Sequence, residues 1–82
     1  MAKKPHPFDV AVGGCICRAR VARKLNQTDL GKVAGITFQQ VQKYERGTNR
    51  VSPSKLYMMA PALGVTPSAL LRRAETIMEE GE

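Results

Sequence analysis

Twenty residues, from Gln27 to Arg46, restrict what this chain can fold into more than any other stretch. Two helices packed at a steep angle through a tight turn need apolar residues on their facing sides. They also need a small residue where the backbones approach and a turn residue that accepts φ > 0. Leu30, Gly31, Gly35, Ile36, Val41 and Tyr44 supply these at positions 4, 5, 9, 10, 15 and 18 of the unit. A helical hairpin in any small bundle explains those apolar residues equally well. It does not explain the outward face of the second helix, Phe38-Gln39-Gln40 followed by Gln42-Lys43. Long amide side chains there donate and accept together, and glutamine matches the N6 and N7 pair that adenine presents in a major groove.

The flanking residues predict an all-α fold of five short helices. Residues 1–8, with Lys3, Lys4, Pro5 and Pro7, show no periodicity and read as a flexible basic arm. Residues 9–80 form one domain, with the helix-turn-helix layout at 27–46. Asp9 is expected to cap a first helix carrying Val12, Ile16 and Ala19 on one face. Asn26 caps the second helix, and Gly35 ends it. Thr37 caps a third helix, Phe38 to Glu45, with Arg46-Gly47-Thr48-Asn49 as the turn beyond. Ser52 and Pro53 open the fourth, whose stripe is Leu56, Met59 and Leu63. Pro61 is expected to bend or unlace that helix, because it removes the hydrogen bond back to Tyr57. Thr66-Pro67-Ser68 opens the fifth, expected over residues 67–79.

Charge narrows the partner. Thirteen Lys and Arg stand against seven Asp and Glu, a net +6. Residues 1–50 hold ten basic and three acidic side chains, net +7, and residues 51–82 hold three and four, net −1. Such asymmetry suggests one face for a polyanion, nucleic acid first and an anionic membrane surface second. With 82 residues, 43% of them hydrophobic, the chain has the composition of one small folded domain. No apolar run approaches the ~20 residues of a membrane span, and the first residues lack a signal-peptide core. Two closely spaced cysteines fit a reducing cytoplasm. One histidine, no tryptophan and seven carboxylates leave little material for catalysis. With no nucleophile–base pair, metal-ligand set or phosphate-cradling glycine loop, an enzyme, a cofactor and a metal are not expected. Gly13-Gly14 reads instead as a close-packing site.

Leu25-Asn26-Gln27-Thr28-Asp29-Leu30, the turn Gly35-Ile36-Thr37 and the run Gln40-Val41-Gln42-Lys43-Tyr44-Glu45-Arg46-Gly47 resemble the Cro/phage-repressor-type helix-turn-helix family, the xenobiotic-response-element class. The longer string from Thr37 to Arg50 is similar to a subgroup of small regulators common in alphaproteobacteria. The resemblance covers about sixty residues, Val12 to Leu71. It implies a lambda-repressor-like domain of five helices whose third helix enters the DNA major groove, usually in a symmetric dimer. By the same resemblance, Thr37, Phe38, Gln39 and Lys43 face base edges, and Gln40 lies between bases and phosphate. Gln27, Asn49 and Arg50 meet phosphates, and Arg20 and Glu45 form a structural ion pair. The chain departs from the family at Cys15 and Cys17, where relatives typically carry arginines, and at Pro61, which replaces a helix former.

The fifth helix carries Leu70, Leu71, Ala74, Ile77 and Met78, a wider apolar face than a small monomer needs, and is expected to extend a subunit contact. Cys15 and Cys17 point about 200° apart on a helix and cannot share a metal or bridge each other. They read as packed or exposed thiols, with redox sensing the rarer use. His6 stands without partner ligands. Lys3 and Lys4 are solvated charges or an arm reaching an adjacent groove. The Met58-Met59 pair reads as core filler. Phe38 either packs against the turn or touches a thymine methyl. The expected function is a transcriptional regulator that binds double-stranded DNA as a homodimer. Its rivals are an antitoxin-like subunit and an accessory module whose last helix docks a protein such as RNA polymerase.

Overall fold

The computed structural model describes residues 4–81 and folds them into five helices: α1 (Pro7–Ala22), α2 (Gln27–Ala34), α3 (Phe38–Arg46), α4 (Pro53–Leu63) and α5 (Pro67–Glu80). The described residues contain no strand. Lys3, part of the expected arm, lies outside them, together with Met1, Ala2 and Glu82.

Each helix starts where a side chain takes an orphan backbone donor. Asn26 and Asp29 form a reciprocal capping box at α2, and Thr37, Ser52 and Thr66 each accept the amide three residues on. At α1 the cap is His6 rather than Asp9. Its Nδ1 accepts from the Phe8 amide at 3.0 Å, and Pro7 occupies the first helical position, where a missing N–H costs nothing. Asp9 sits inside the first turn, so the helical domain begins earlier than the 1–8 arm allowed. At the other end, α5 runs one residue past the expected boundary, to Glu80.

α1 is the central element, packed on α3, α4 and α5, while α2 packs on α3 and α4. Ile16, Leu30, Val41 and Met59 fill the middle of the core with almost no exposure. The approach of α1 to α3 is set by Gly13. A Cβ there would stand 2.7 Å from the Glu45 carbonyl oxygen, on a backbone with nowhere to retreat. Gly31 admits the Ile36 carbonyl in the same way, and Gly35 turns the chain out of α2 at φ 69°.

Two expectations change. Pro61 does not unlace α4, which continues through it to Leu63. The proline lies in the last turn, so only one bond is lost before Gly64 closes the helix onto Ala60 and Pro61. On α5, Leu70 and Ala74 are buried in the domain's own core, covered mainly by α1. They are unavailable to a second subunit. Leu71 remains 37% exposed, and Ile77 and Met78 are half-buried at the edge of the core.

Candidate nucleic-acid interface

Val41 and Tyr44 anchor α3 in the core, which turns Gln39, Gln42, Lys43 and Arg46 to the opposite side at spacings of three, four and seven. Gln39, Lys43 and Arg46 are exposed, and Gln42 is half-buried. Phe38 opens the helix with 44% of its surface exposed. Gln40 is half-buried on the flank. Thr37 is committed to its own helix, its hydroxyl accepting from the Gln40 amide at 3.2 Å. Arg46, expected in the turn, is instead the last helical residue, because α3 ends only at Gly47, whose N–H reaches back to Lys43 and Tyr44. Arg46 therefore shares the outward strip with Gln39. The i, i+7 spacing was the signal available for it.

Behind this strip, Arg20 grips Glu45 at two points, Nε to Oε2 at 2.6 Å and Nη2 to Oε1 at 3.1 Å. The side chains keep only 13% and 6% exposure. Nη1 of Arg20 also donates to the Leu25 carbonyl at 2.9 Å, and Nη2 lies 3.7 Å from Cys17 Sγ. Gln27 Nε2 completes the network by donating to Glu45 Oε1 at 3.0 Å. Burial pushes the Glu45 carboxyl up, but the hydrogen bonds from Arg20 and Gln27 outweigh it and leave it below its ordinary value. One carboxylate thus ties the α1–α2 connection, the start of α2 and the end of α3 together. Gln27 is held at the head of α2 with one amide edge already in use.

Asn49 and Arg50 are exposed in the loop after α3. That loop is tied to its helix by the Lys43 carbonyl, which accepts from the amides of Thr48 and Asn49 and from the Thr48 hydroxyl. Arg50 pairs with Asp9 of α1 through Nε, at 3.0 Å to Oδ2. Sequence reasoning missed this pair because 41 residues separate the partners. It also missed Lys55, whose Nζ donates to the Ala34 carbonyl at 2.7 Å and so places a cation on the negative end of α2. All three carboxylates of the first fifty residues are internally occupied. Asp9 holds Arg50, Asp29 takes the Asn26 amide, and Glu45 takes Arg20 and Gln27. Lys43 and Arg46 form no ion pair among the described residues. The face is therefore electropositive, with its acids already engaged.

A helix-turn-helix family model matches residues 18–70. An HTH-type transcriptional regulator of Sinorhizobium medicae is 48% identical over 66 residues, which is 80% of this chain and 48% of that protein. The chain thus spans about half the length of the curated relatives it matches. Among solved structures, the clp gene regulator ClgR from Corynebacterium glutamicum has the same fold. Its TM-score is 0.85 at 22% identity, over 90% of this chain and 79% of that one. The restriction-modification controller protein C.AhdI from Aeromonas hydrophila gives 0.74 at 29% identity, over 79% and 98%. No helix among the described residues is long and apolar enough to cross a membrane.

Proposed function

The chain belongs to the helix-turn-helix family of DNA-binding transcriptional regulators, and from that premise we propose that it reads an operator as a homodimer, each subunit laying α3 in the major groove. The observation that carries this reading is the outward strip of α3, two glutamines and two cations at helical spacing on a face whose carboxylates are engaged elsewhere. Gln39 and Lys43 meet base edges, where an amide can donate and accept in one bidentate pair. Arg46, in the last turn, reaches backbone or base. Phe38, 44% exposed, offers its side chain to a thymine methyl. Thr37 and Gln40 border this surface at the head of the helix. Gln27, Asn49 and Arg50 anchor phosphates on either side and fix the register of the helix in the groove.

The subunit contact is assigned to the edge of α5 formed by Leu71, Ile77 and Met78. A two-fold dimer with recognition helices about 34 Å apart requires half-sites one helical turn apart on an imperfect palindrome. The test is duplex binding against salt. Some six to ten phosphate contacts per dimer give a slope of log affinity on log salt on the order of −5 to −9. An affinity unchanged between low and moderate salt overturns the reading.

A further inference from the structure

We propose that Asp9 is a positioning residue for DNA binding: its carboxylate grips Arg50 at Nε and presents the two Nη groups to a backbone phosphate. The proposal rests on the reading of Arg50 as a phosphate contact. Arg50 lies in a loop, with no helix to aim its long side chain. Its Nε donates to both carboxylate oxygens of Asp9, at 3.0 and 3.3 Å, and neither Nη group has a partner among the described residues. A planar guanidinium held at Nε has its plane restricted, and the four N–H bonds of the Nη groups remain in the fork geometry that suits phosphate.

Burial separates the two roles. The Asp9 side chain is 17% exposed and belongs to the first turn of α1, whereas that of Arg50 is 73% exposed. One partner is fixed and the other projects. The root of the loop is seated on the same turn of α1, because a Cβ at Gly47 would lie 2.7 Å from Val10 Cα. The head of α1 thus touches both the end of α3, at Gly47, and the Arg50 guanidinium, at Asp9. An ion pair this exposed adds little to folding stability, but it narrows the orientations of a flexible cation.

Simple charge and positioning predict opposite signs. Removing a carboxylate from a DNA-facing surface should tighten binding if Asp9 acts only through its charge. If it aims Arg50, removal should weaken binding, and only while Arg50 is present. Fluorescence anisotropy with a mixed-sequence DNA duplex at fixed moderate salt distinguishes these, using wild type, Asp9→Asn, Asp9→Glu, Arg50→Ala and the double variant Asp9→Asn/Arg50→Ala. Circular dichroism confirms the fold of each. Asp9→Asn is expected to bind about two- to fivefold more weakly than wild type, and Asp9→Glu, which restores the charge and the acceptor, to recover most of that loss. In the Arg50→Ala background the Asp9→Asn change is expected to cost nothing. Tighter binding by Asp9→Asn, an equal loss in both backgrounds, or Asp9→Glu as weak as Asp9→Asn overturns the role of Asp9. Unchanged binding by Arg50→Ala overturns it together with the phosphate contact. A wild-type protein whose duplex binding ignores salt removes the DNA-binding reading beneath it instead.

Discussion

Arg20 and Glu45, 25 residues apart in the chain, meet in a two-point ion pair that is nearly closed to solvent and carries Gln27 as a third member. Removing one partner leaves the other charge buried and unpaired, whereas an exposed pair of the same geometry would contribute little. Arg20→Ala is therefore expected to lower unfolding free energy by about 3 kcal/mol, read from urea denaturation. A loss within the range of ordinary surface substitutions would show that the network is incidental.

The same network predicts a pH dependence of stability. Glu45, ordinarily near 4.5, titrates at a lower value in the folded chain, so folding favours its charged form. Its stabilisation is complete above 4.5 and is lost as pH falls through the folded value. The stability gap between wild type and Glu45→Gln should therefore narrow in acid. A gap of constant size from neutral pH downward contradicts this.

Gly13→Ala sets two effects against each other. Alanine gains about 1 kcal/mol of helix propensity over glycine, but its methyl would press on the Glu45 carbonyl of α3, where overpacking costs about 1–3 kcal/mol. Because the obstacle is backbone rather than a flexible side chain, the variant should melt at a lower temperature. A higher melting temperature would mean that α1 and α3 separate easily.

Base reading and phosphate anchoring separate in two variants measured on a selected operator and on mixed-sequence duplex. Gln39→Ala should lose about 1–3 kcal/mol on the operator and relax one base pair per half-site, with the salt slope nearly intact. Arg50→Ala should weaken both DNAs and reduce the slope by about one per lost contact. The opposite pattern would require another orientation of α3 in the groove.

For the subunit contact, Leu71→Asp is the informative change, since Leu71 is exposed while Leu70 and Ala74 are core. Gel filtration should show monomers that still fold. A dimer of unchanged mass would move the interface away from this edge of α5.

Most helix ends were legible from short-range signals: Asn26, Thr37, Ser52 and Thr66 at the starts, Gly35 at the stop of α2. Capping is chemistry within three residues, and the sequence displays it directly. His6 was missed as a cap because an imidazole seldom plays that part. Asp9–Arg50 and Gln27–Glu45 were invisible for another reason, being contacts across 41 and 18 residues that only the folded chain creates. The apolar residues of α5 form a stripe at helical spacing. Its periodicity cannot state whether α1 or a second copy covers a given residue, and α1 covers Leu70 and Ala74.

α3 lies against α1 and α2, and α5 lies against α1 and α4. In a dimer joined through α5, α1 would be the one element packed directly on both the interface helix and the reading helix. The thickness of that one helix, with Gly13 on its α3 side and Ala11 and Cys15 toward α5, would then help set the distance between two half-sites. Enlarging a residue on α1 would then shift which operator spacings are tolerated and leave the preferred bases alone, so the element that touches no base would hold the metric of the site.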